Sequence, residues 1–125
     1  MTEAALAWVN DLMERLSIPY AFMEWKEKPP EDCYFVGDYI ETQTQHNEEN
    51  GHKEWQFILR GFSRKDWIAL EHAKRLIEKH AAITTILPDG TGLAVSYSHG
   101  EHVPTGDAEL KSIKINLKGQ EWMVN

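Results

Sequence analysis

The sequence has 125 residues, a hydrophobic fraction of 42% and five tryptophans, which is enough for one domain with a single buried core. Its 13 basic and 20 acidic side chains give a formal charge of −7, and no run of Lys and Arg exceeds two residues. A surface that neutralises phosphates is therefore not expected, nor is sequence-specific binding of nucleic acid.

Cysteine content and hydropathy indicate the compartment. Cys33 is the only cysteine, which excludes an intrachain disulfide and a zinc site built from several cysteines. A single thiol beside a loop favours an ordinary reduced cysteine over a nucleophile. The first residues, MTEAALAWVNDLMERL, lack a basic start followed by an apolar block, so we expect neither a signal peptide nor a membrane anchor. We expect synthesis in a reducing cytoplasm and no membrane partner.

The N-terminal segment predicts a helix capped by Thr2. Its apolar residues recur at helical spacing: Ala5, Leu6, Val9, Leu12, Met13 and Leu16. Pro19 disfavours the helical conformation at Ile18 and so ends the helix. Residues 20–25 then predict a short strand, and the proline pair within residues 24–33 predicts an irregular connection.

Residues 34–45 and 53–62 predict two long strands joined by a tight turn. In the second segment, apolar residues on one face alternate with polar residues on the other. Asn50 and Gly51 stand between the two segments and are a strong hairpin signal, because both central positions of the favoured turn need positive φ. The polar ends of the two strands predict that this hairpin protrudes from the core.

Ser63 predicts the start of a second helix, with Asp66 placed to complete a reciprocal cap. The buried stripe of this helix is predicted to comprise Trp67, Leu70, Ala73, Leu76, Ile77 and Ala81. A second hairpin follows, with strands over residues 83–87 and 93–98 and a turn over residues 88–92.

A loop over residues 100–107 leads into the last predicted strand. Ile113, Ile115 and Leu117 share one face of that strand. Past Gly119 the apolar positions move one step out of phase, which predicts a β-bulge there. The order helix, strand, hairpin, helix, hairpin, strand predicts a single α+β domain over residues 1–125. We expect an antiparallel sheet of about five to six strands with both helices packed on one face.

The stretch HNEENGH, residues 46–52, places two histidines and two glutamates within seven residues. Zinc sites need three or four ligands that converge at about 2 Å on a stiff frame. A hairpin tip does not provide such a frame. We therefore interpret the stretch as a turn and not as a metal site.

The stretch HGEHVPTGD contains His99, His102 and Asp107, which could together chelate a divalent ion. An alternative function is therefore a small metal-dependent enzyme or ligand-binding domain that uses these residues. The other interpretation is a mobile loop that contacts solvent or a partner. The sequence has no nucleophile elbow, phosphate-cradling glycine loop, dinucleotide fingerprint or histidine pair at metal-binding helical spacing. We therefore expect no enzyme activity and no cofactor.

Five stretches in order resemble a family of small proteins encoded in the tail-module region of prophages and long-tailed bacteriophages. They are IPYAFMEW, YFVGDYIE, WQFILRGFSRKDW, ILPDGTGLAVSY and VPTGDAELKSIKINL. This family is similar to the tail-completion, or tail-terminator, proteins. The resemblance covers residues 17–124 and implies an α+β fold with an antiparallel sheet and two helices.

The resemblance also implies a function. Such proteins are structural virion components that form a ring, usually sixfold, at the tail end or neck, where they complete the tail and support head–tail joining. The implied partners are copies of the chain itself, the tail-tube protein and the neck or connector proteins. The implied assembly contacts are Asn47, Glu48, Glu49, Asn50, Gly51, His52, His99, Glu101, His102, Thr105 and Asp107.

Overall fold

The computed structural model describes residues 1–42 and 52–123. Its two helices are α1 (Glu3–Arg15) and α2 (Trp67–His80). Its six strands are β1 (Tyr20–Phe22), β2 (Tyr34–Thr42), β3 (Lys53–Ser63), β4 (Ile83–Ile86), β5 (Thr91–His102) and β6 (Lys111–Met123). They form one sheet in the order β1-β2-β3-β6-β5-β4. The predicted α+β class is confirmed.

The sheet is mixed, so the prediction of a purely antiparallel sheet is wrong at one edge. β1 pairs with β2 in parallel, whereas the other four neighbouring pairs are antiparallel. A parallel neighbour requires a long connection that returns the chain to the same end of the sheet. The irregular segment between β1 and β2 provides that connection.

The predicted protruding hairpin is described only in part. Its two strands pair in antiparallel register from Tyr34 opposite Phe62 to Thr42 opposite Glu54. Its tip lies outside the described residues, so the protrusion stays a prediction.

One face of the sheet carries the core. Side chains of alternate residues on β2, β3, β5 and β6 lie on this face and are buried, including Phe35, Phe57, Leu59, Leu93, Ile115 and Leu117. Both helices pack against them: α1 contributes Val9 and Leu12, and α2 contributes Leu70 and Ile77. The predicted placement of both helices on one face is confirmed.

The predicted bulge at Gly119 is wrong. β6 keeps its register through Gly119, which pairs with Trp55 on one side and Val95 on the other. The phase of the apolar residues breaks because a carboxylate, Glu121, occupies a core-facing position and is only 1% exposed. The sheet has its register shift in β5 instead, between Tyr97 and His99.

Glu121 joins the start of α1 to the sheet. Its carboxylate accepts hydrogen bonds from the backbone N–H of Thr2 (3.1 Å), from the Thr2 hydroxyl and from Nε1 of Trp55 (3.0 Å). Thr2 caps α1 as predicted, because its Oγ1 accepts from the N–H of Ala5. The positive end of the helix dipole and the three donors together compensate a buried negative charge.

Helix α2 begins later than the sequence predicts. Asp66 is its cap, since Oδ1 accepts from the N–H groups of Ile68 (2.9 Å) and Ala69 (3.3 Å). Ser63 instead ends β3 and is buried. Trp67 is therefore in the first turn of the helix, where it is 52% exposed and not part of the buried stripe.

We expect the substitution Glu121→Ala to lower the free energy of unfolding by about 2–3 kcal/mol, because it leaves the buried Trp55 N–H without an acceptor and removes charge-assisted bonds to Thr2. Urea unfolding followed by tryptophan fluorescence measures this change. Gln120→Ala, at the exposed neighbouring position, is the control and should change stability by less than about 0.5 kcal/mol. Equal stabilities of the two variants would contradict the role assigned to Glu121.

Candidate functional site

Most of the predicted hairpin-tip contacts lie outside the described part of the chain: Asn47, Glu48, Glu49, Asn50 and Gly51. His52 is described and is half-buried just before β3. Its Nε2 lies 3.3 Å from Oε1 of Glu54. The assignment of this tip as an assembly contact stays a prediction.

His99 and His102 lie on opposite faces of the sheet. Both belong to β5, which extends to His102, so the predicted loop begins three residues later than expected. His99 pairs opposite Asn116 on the face without helices, and its Nε2 is 2.8 Å from Nδ2 of Asn116. His102 pairs opposite Ile113 on the helix-bearing face. Side chains an odd number of residues apart on a strand point to opposite faces.

This geometry does not bring together the predicted ligands His99, His102 and Asp107. Within residues 1–42 and 52–123, no group of three or more His, Cys, Asp and Glu side chains is arranged to hold a metal ion. Glu101, between the histidines, pairs opposite Lys114 and is exposed.

The segment between β5 and β6, residues 103–110, is organised by two of the predicted contact residues. The hydroxyl of Thr105 lies 2.9 Å from the carbonyl of Asp107 and 2.8 Å from the carbonyl of Leu110. Oδ1 of Asp107 accepts from the N–H of Glu109 (2.9 Å), and Oδ2 lies 3.7 Å from the guanidinium of Arg64. Thr105 and Asp107 thus shape the loop through local hydrogen bonds.

This loop and the start of α2 border an open groove with a volume of about 460 Å³, which we call the loop-end groove. Its walls are mainly apolar and include Trp67, His102, Val103, Pro104, Thr105 and Leu110. The ring of Trp67 meets that of His102 edge-on, with centroids 6.2 Å apart. Ile68, next to Trp67, is 61% exposed.

Sequence reasoning missed Trp67 as a surface residue. Its spacing to Leu70 fits the buried stripe, and the predicted cap at Ser63 placed it inside the helix. Asp66, immediately before it, was the available signal, because aspartate is as strong a cap as serine. A helix that begins after Asp66 places Trp67 at its exposed end.

Glu71 connects α2 to the end of β5. Its carboxylate accepts from Nζ of Lys74 (3.2 Å), lies 3.2 Å from Nε2 of His102 and is 3.7 Å from Nε of Arg75. Partial burial favours a higher pKa for Glu71, but the hydrogen bonds with Lys74 and His102 outweigh it and hold the pKa below its ordinary value. The ionised carboxylate therefore fixes His102 at one wall of the groove.

Cys33 is half-buried. Burial raises the pKa of its thiol to about 11, and the negative charge of Asp32 adds to the effect. The thiol is thus protonated at neutral pH, and a thiol in that state is a weak nucleophile. This agrees with the interpretation of Cys33 as an ordinary reduced cysteine.

We expect Glu71→Gln to make stability less dependent on acid pH. A carboxyl group with a lowered pKa in the folded state stabilises the protein above its unfolded pKa, and this contribution is lost as pH falls through the folded pKa. The variant should be less stable than the wild type by about 1 kcal/mol at neutral pH, and the difference should shrink between about pH 5 and pH 3.

Urea unfolding at a series of pH values provides the test. Glu78→Gln is the matched control on the same helix, because no ion pair of Glu78 occurs among the described residues. A stability difference for Glu71→Gln that stays constant from neutral to acid pH would contradict the role of the ionised carboxylate.

Comparisons with known proteins establish the fold and not the function. No protein-family model matches the chain, and no curated protein matches it. A solved structure whose name states no function matches over 93% of this chain and 87% of its own, with a TM-score of 0.60 and 13% identity. At that identity the similarity shows a shared fold alone. None of the helices in the described segments is long and apolar enough to cross a membrane.

Proposed function

We propose that this chain is a non-enzymatic structural protein of a phage or prophage tail. In this proposal, copies of the chain form a ring, hexameric as in the proteins it resembles, at the tail end or neck of the virion. The ring completes the tail and supports head–tail joining, with the tail-tube and neck or connector proteins as partners. The ordered resemblance of the five sequence stretches suggests this role.

The structural observation that carries the proposal is that five of the seven large apolar side chains that are exposed in the described part of the chain lie at two ends of the sheet. At the end where β6 begins, Trp67, Ile68 and Val103 are exposed around the loop-end groove. At the end where β6 finishes, Ile86 and Met123 are each 63% exposed. β6 has 13 residues, and a rise of 3.3 Å per residue separates the two ends by about 40 Å.

Exposed apolar side chains at two separated ends suit a protein that is contacted from two sides. Single exposed apolar residues are common on protein surfaces. A concave site bordered by tryptophan is different, because buried aromatic anchors contribute much of the binding energy in protein interfaces. A ring between a tail tube and a neck would contact one partner at each end of its subunits.

Residues predicted as assembly contacts also lie at both of these ends of the sheet. His52 lies at the start of β3, which is adjacent to the finishing end of β6. Thr105 and Asp107 lie in the loop that borders the groove at the opposite end. The resemblance therefore assigns contacts to both ends of the molecule.

We expect purified full-length protein to cap tail tubes that were assembled without it, as seen by negative-stain electron microscopy. Trp67→Ser should weaken capping at least about tenfold, because it removes the aromatic side chain of the groove. Lys79→Ser, on the exposed side of α2, is the control and should cap like the wild type.

The outcome that would contradict the proposed function differs from the outcome that would contradict the role of the groove. Tubes that stay uncapped and of uncontrolled length with the wild-type protein would overturn the proposed function. Full capping by a folded Trp67→Ser variant would instead remove the loop-end groove as a contact. Circular dichroism of each variant establishes that it is folded.

A further inference from the structure

The face of the sheet without helices carries three basic side chains at its centre, which we call the basic group: Arg60, Lys114 and Lys118. Arg60 lies opposite Lys114 on the two central strands, and Lys118 follows four residues further along β6. Their neighbours Leu59 and Ile115 are buried on the other face, so the three basic side chains point away from the helices. Arg60 and Lys118 are exposed, and Lys114 is half-buried.

None of the basic group forms an ion pair with a residue that the structure describes. Like charges directly opposite each other destabilise a sheet, and Arg60 and Lys114 are such a pair. The acidic residues of this face lie around the group: Asp38 on β2, Glu101 on β5 and Glu54 at the start of β3. A partner that brings carboxylates to the centre of the face would therefore relieve this repulsion.

Helix α1 carries opposite charges on its outer side. Glu3, Asp11 and Glu14 are exposed and lie within about 80° of one another around the helix axis, because successive residues advance by about 100°. We call these three residues the acidic stripe. None of them forms an ion pair in the described segments, and the only basic residue of the helix is its last, Arg15. Ala7 lies between the acidic residues and is small enough for another chain to approach closely.

The charges of the two surfaces have matching spacing. On the sheet, Lys118 lies about 13 Å along β6 from the opposed pair of Arg60 and Lys114. On the helix, Glu3 lies about 12–16 Å along the axis from the other two carboxylates. Each surface thus has one charge separated from a pair of charges by a similar distance. The helix of the same chain cannot make this contact, because α1 packs on the other face of its own sheet.

We propose that α1 of one copy packs along β6 of a second copy, on the face without helices. The acidic stripe of the first copy then lies on the basic group of the second, with Glu3 facing Lys118. The contact also covers part of Ile40, which is 55% exposed on this face and pairs opposite Gln56, the partner of Lys118.

This contact uses a different surface on each of the two copies. It therefore repeats head to tail, and such contacts can close into a ring. The closure into a ring rests on the proposed function, whereas the contact between two copies does not. Both ends of the sheet stay free for the tail-tube and neck partners.

Sedimentation velocity of the full-length chain, from micromolar to millimolar concentration, measures the contact. The wild type should associate, and association should weaken as the salt concentration rises, because salt screens exposed charges. The helix variant, Asp11→Lys with Glu14→Lys, should raise the dissociation constant at least about tenfold, because it places positive charges on the basic group. Its net charge is less negative than the wild-type value of −7, so general repulsion between copies would predict stronger association instead.

Glu78→Lys with Glu109→Lys is the matched control. Both residues are exposed and lie outside the acidic stripe, and the double substitution changes the net charge by the same amount. The control should associate at least as strongly as the wild type.

A mixture of two variants tests whether the two surfaces contact each other. The sheet variant, Arg60→Glu with Lys114→Glu, should associate as weakly as the helix variant. In an equimolar mixture, the positive helix of one variant meets the negative sheet face of the other. The negative helix of the sheet variant likewise meets the positive sheet face of the helix variant. The mixture should therefore regain the association of the wild type.

Two results with the wild type alone would overturn the proposal: a chain that stays monomeric at millimolar concentration, or association that does not depend on salt. A folded helix variant that associates like the control would also overturn it, as would a mixture of folded variants that associates as weakly as its components. Association through this contact by a chain that does not cap tail tubes would retain the contact and overturn the proposed function.

Discussion

The pairing of β3 with β6 is the constraint on which the other elements depend. The two strands are in register over their whole shared length, from Lys53 opposite Glu121 to Ser63 opposite Lys111. Side chains alternate between faces, so this register places Phe57 and Leu117 together on the helix-bearing face. A slip of one residue would turn the apolar side chains to solvent and leave both helices without a surface to pack on.

Within that register, three residues at one end of the central strands fit each other in size and polarity. Gly119 leaves room for the indole of Trp55, because a Cβ at this position would collide with the ring. Glu121 then accepts the indole N–H, and its carboxylate also reaches the first residues of α1. A buried carboxylate therefore holds the start of the first helix on the sheet, because a shift of the helix would leave the carboxylate without the Thr2 donors.

Burial of a single face leaves the other surfaces available for contacts. The titratable side chains near the groove are paired within the fold, as His102 is with Glu71. Most of the large apolar side chains that remain exposed in the described residues lie at two ends of the sheet, whereas Met23 and Ile40 lie level with the middle of β6. The proposed function follows from this distribution, since the two ends suit different partners.

The sequence by itself determined the helices, the strands and most of the core, because the 3.6-residue and two-residue periods of apolar side chains are local properties. It did not determine the parallel pairing of β1, since an irregular connection contains no local signal for strand direction. The sequence contains two residues that could cap α2, Ser63 and Asp66. It therefore did not determine where the helix begins, nor that Trp67 is exposed.

The apolar residues at the end of β6 are out of phase, and the local sequence could not show whether a bulge or a buried carboxylate is the cause. The donors that satisfy Glu121 are Trp55 and Thr2, which are 66 and 119 residues away along the chain. Likewise, His99 and His102 are neighbours in the sequence, but the pairing of β5 with β6 places them on opposite faces. Only the tertiary structure decided these points, because each depends on partners that the fold brings together from distant parts of the chain.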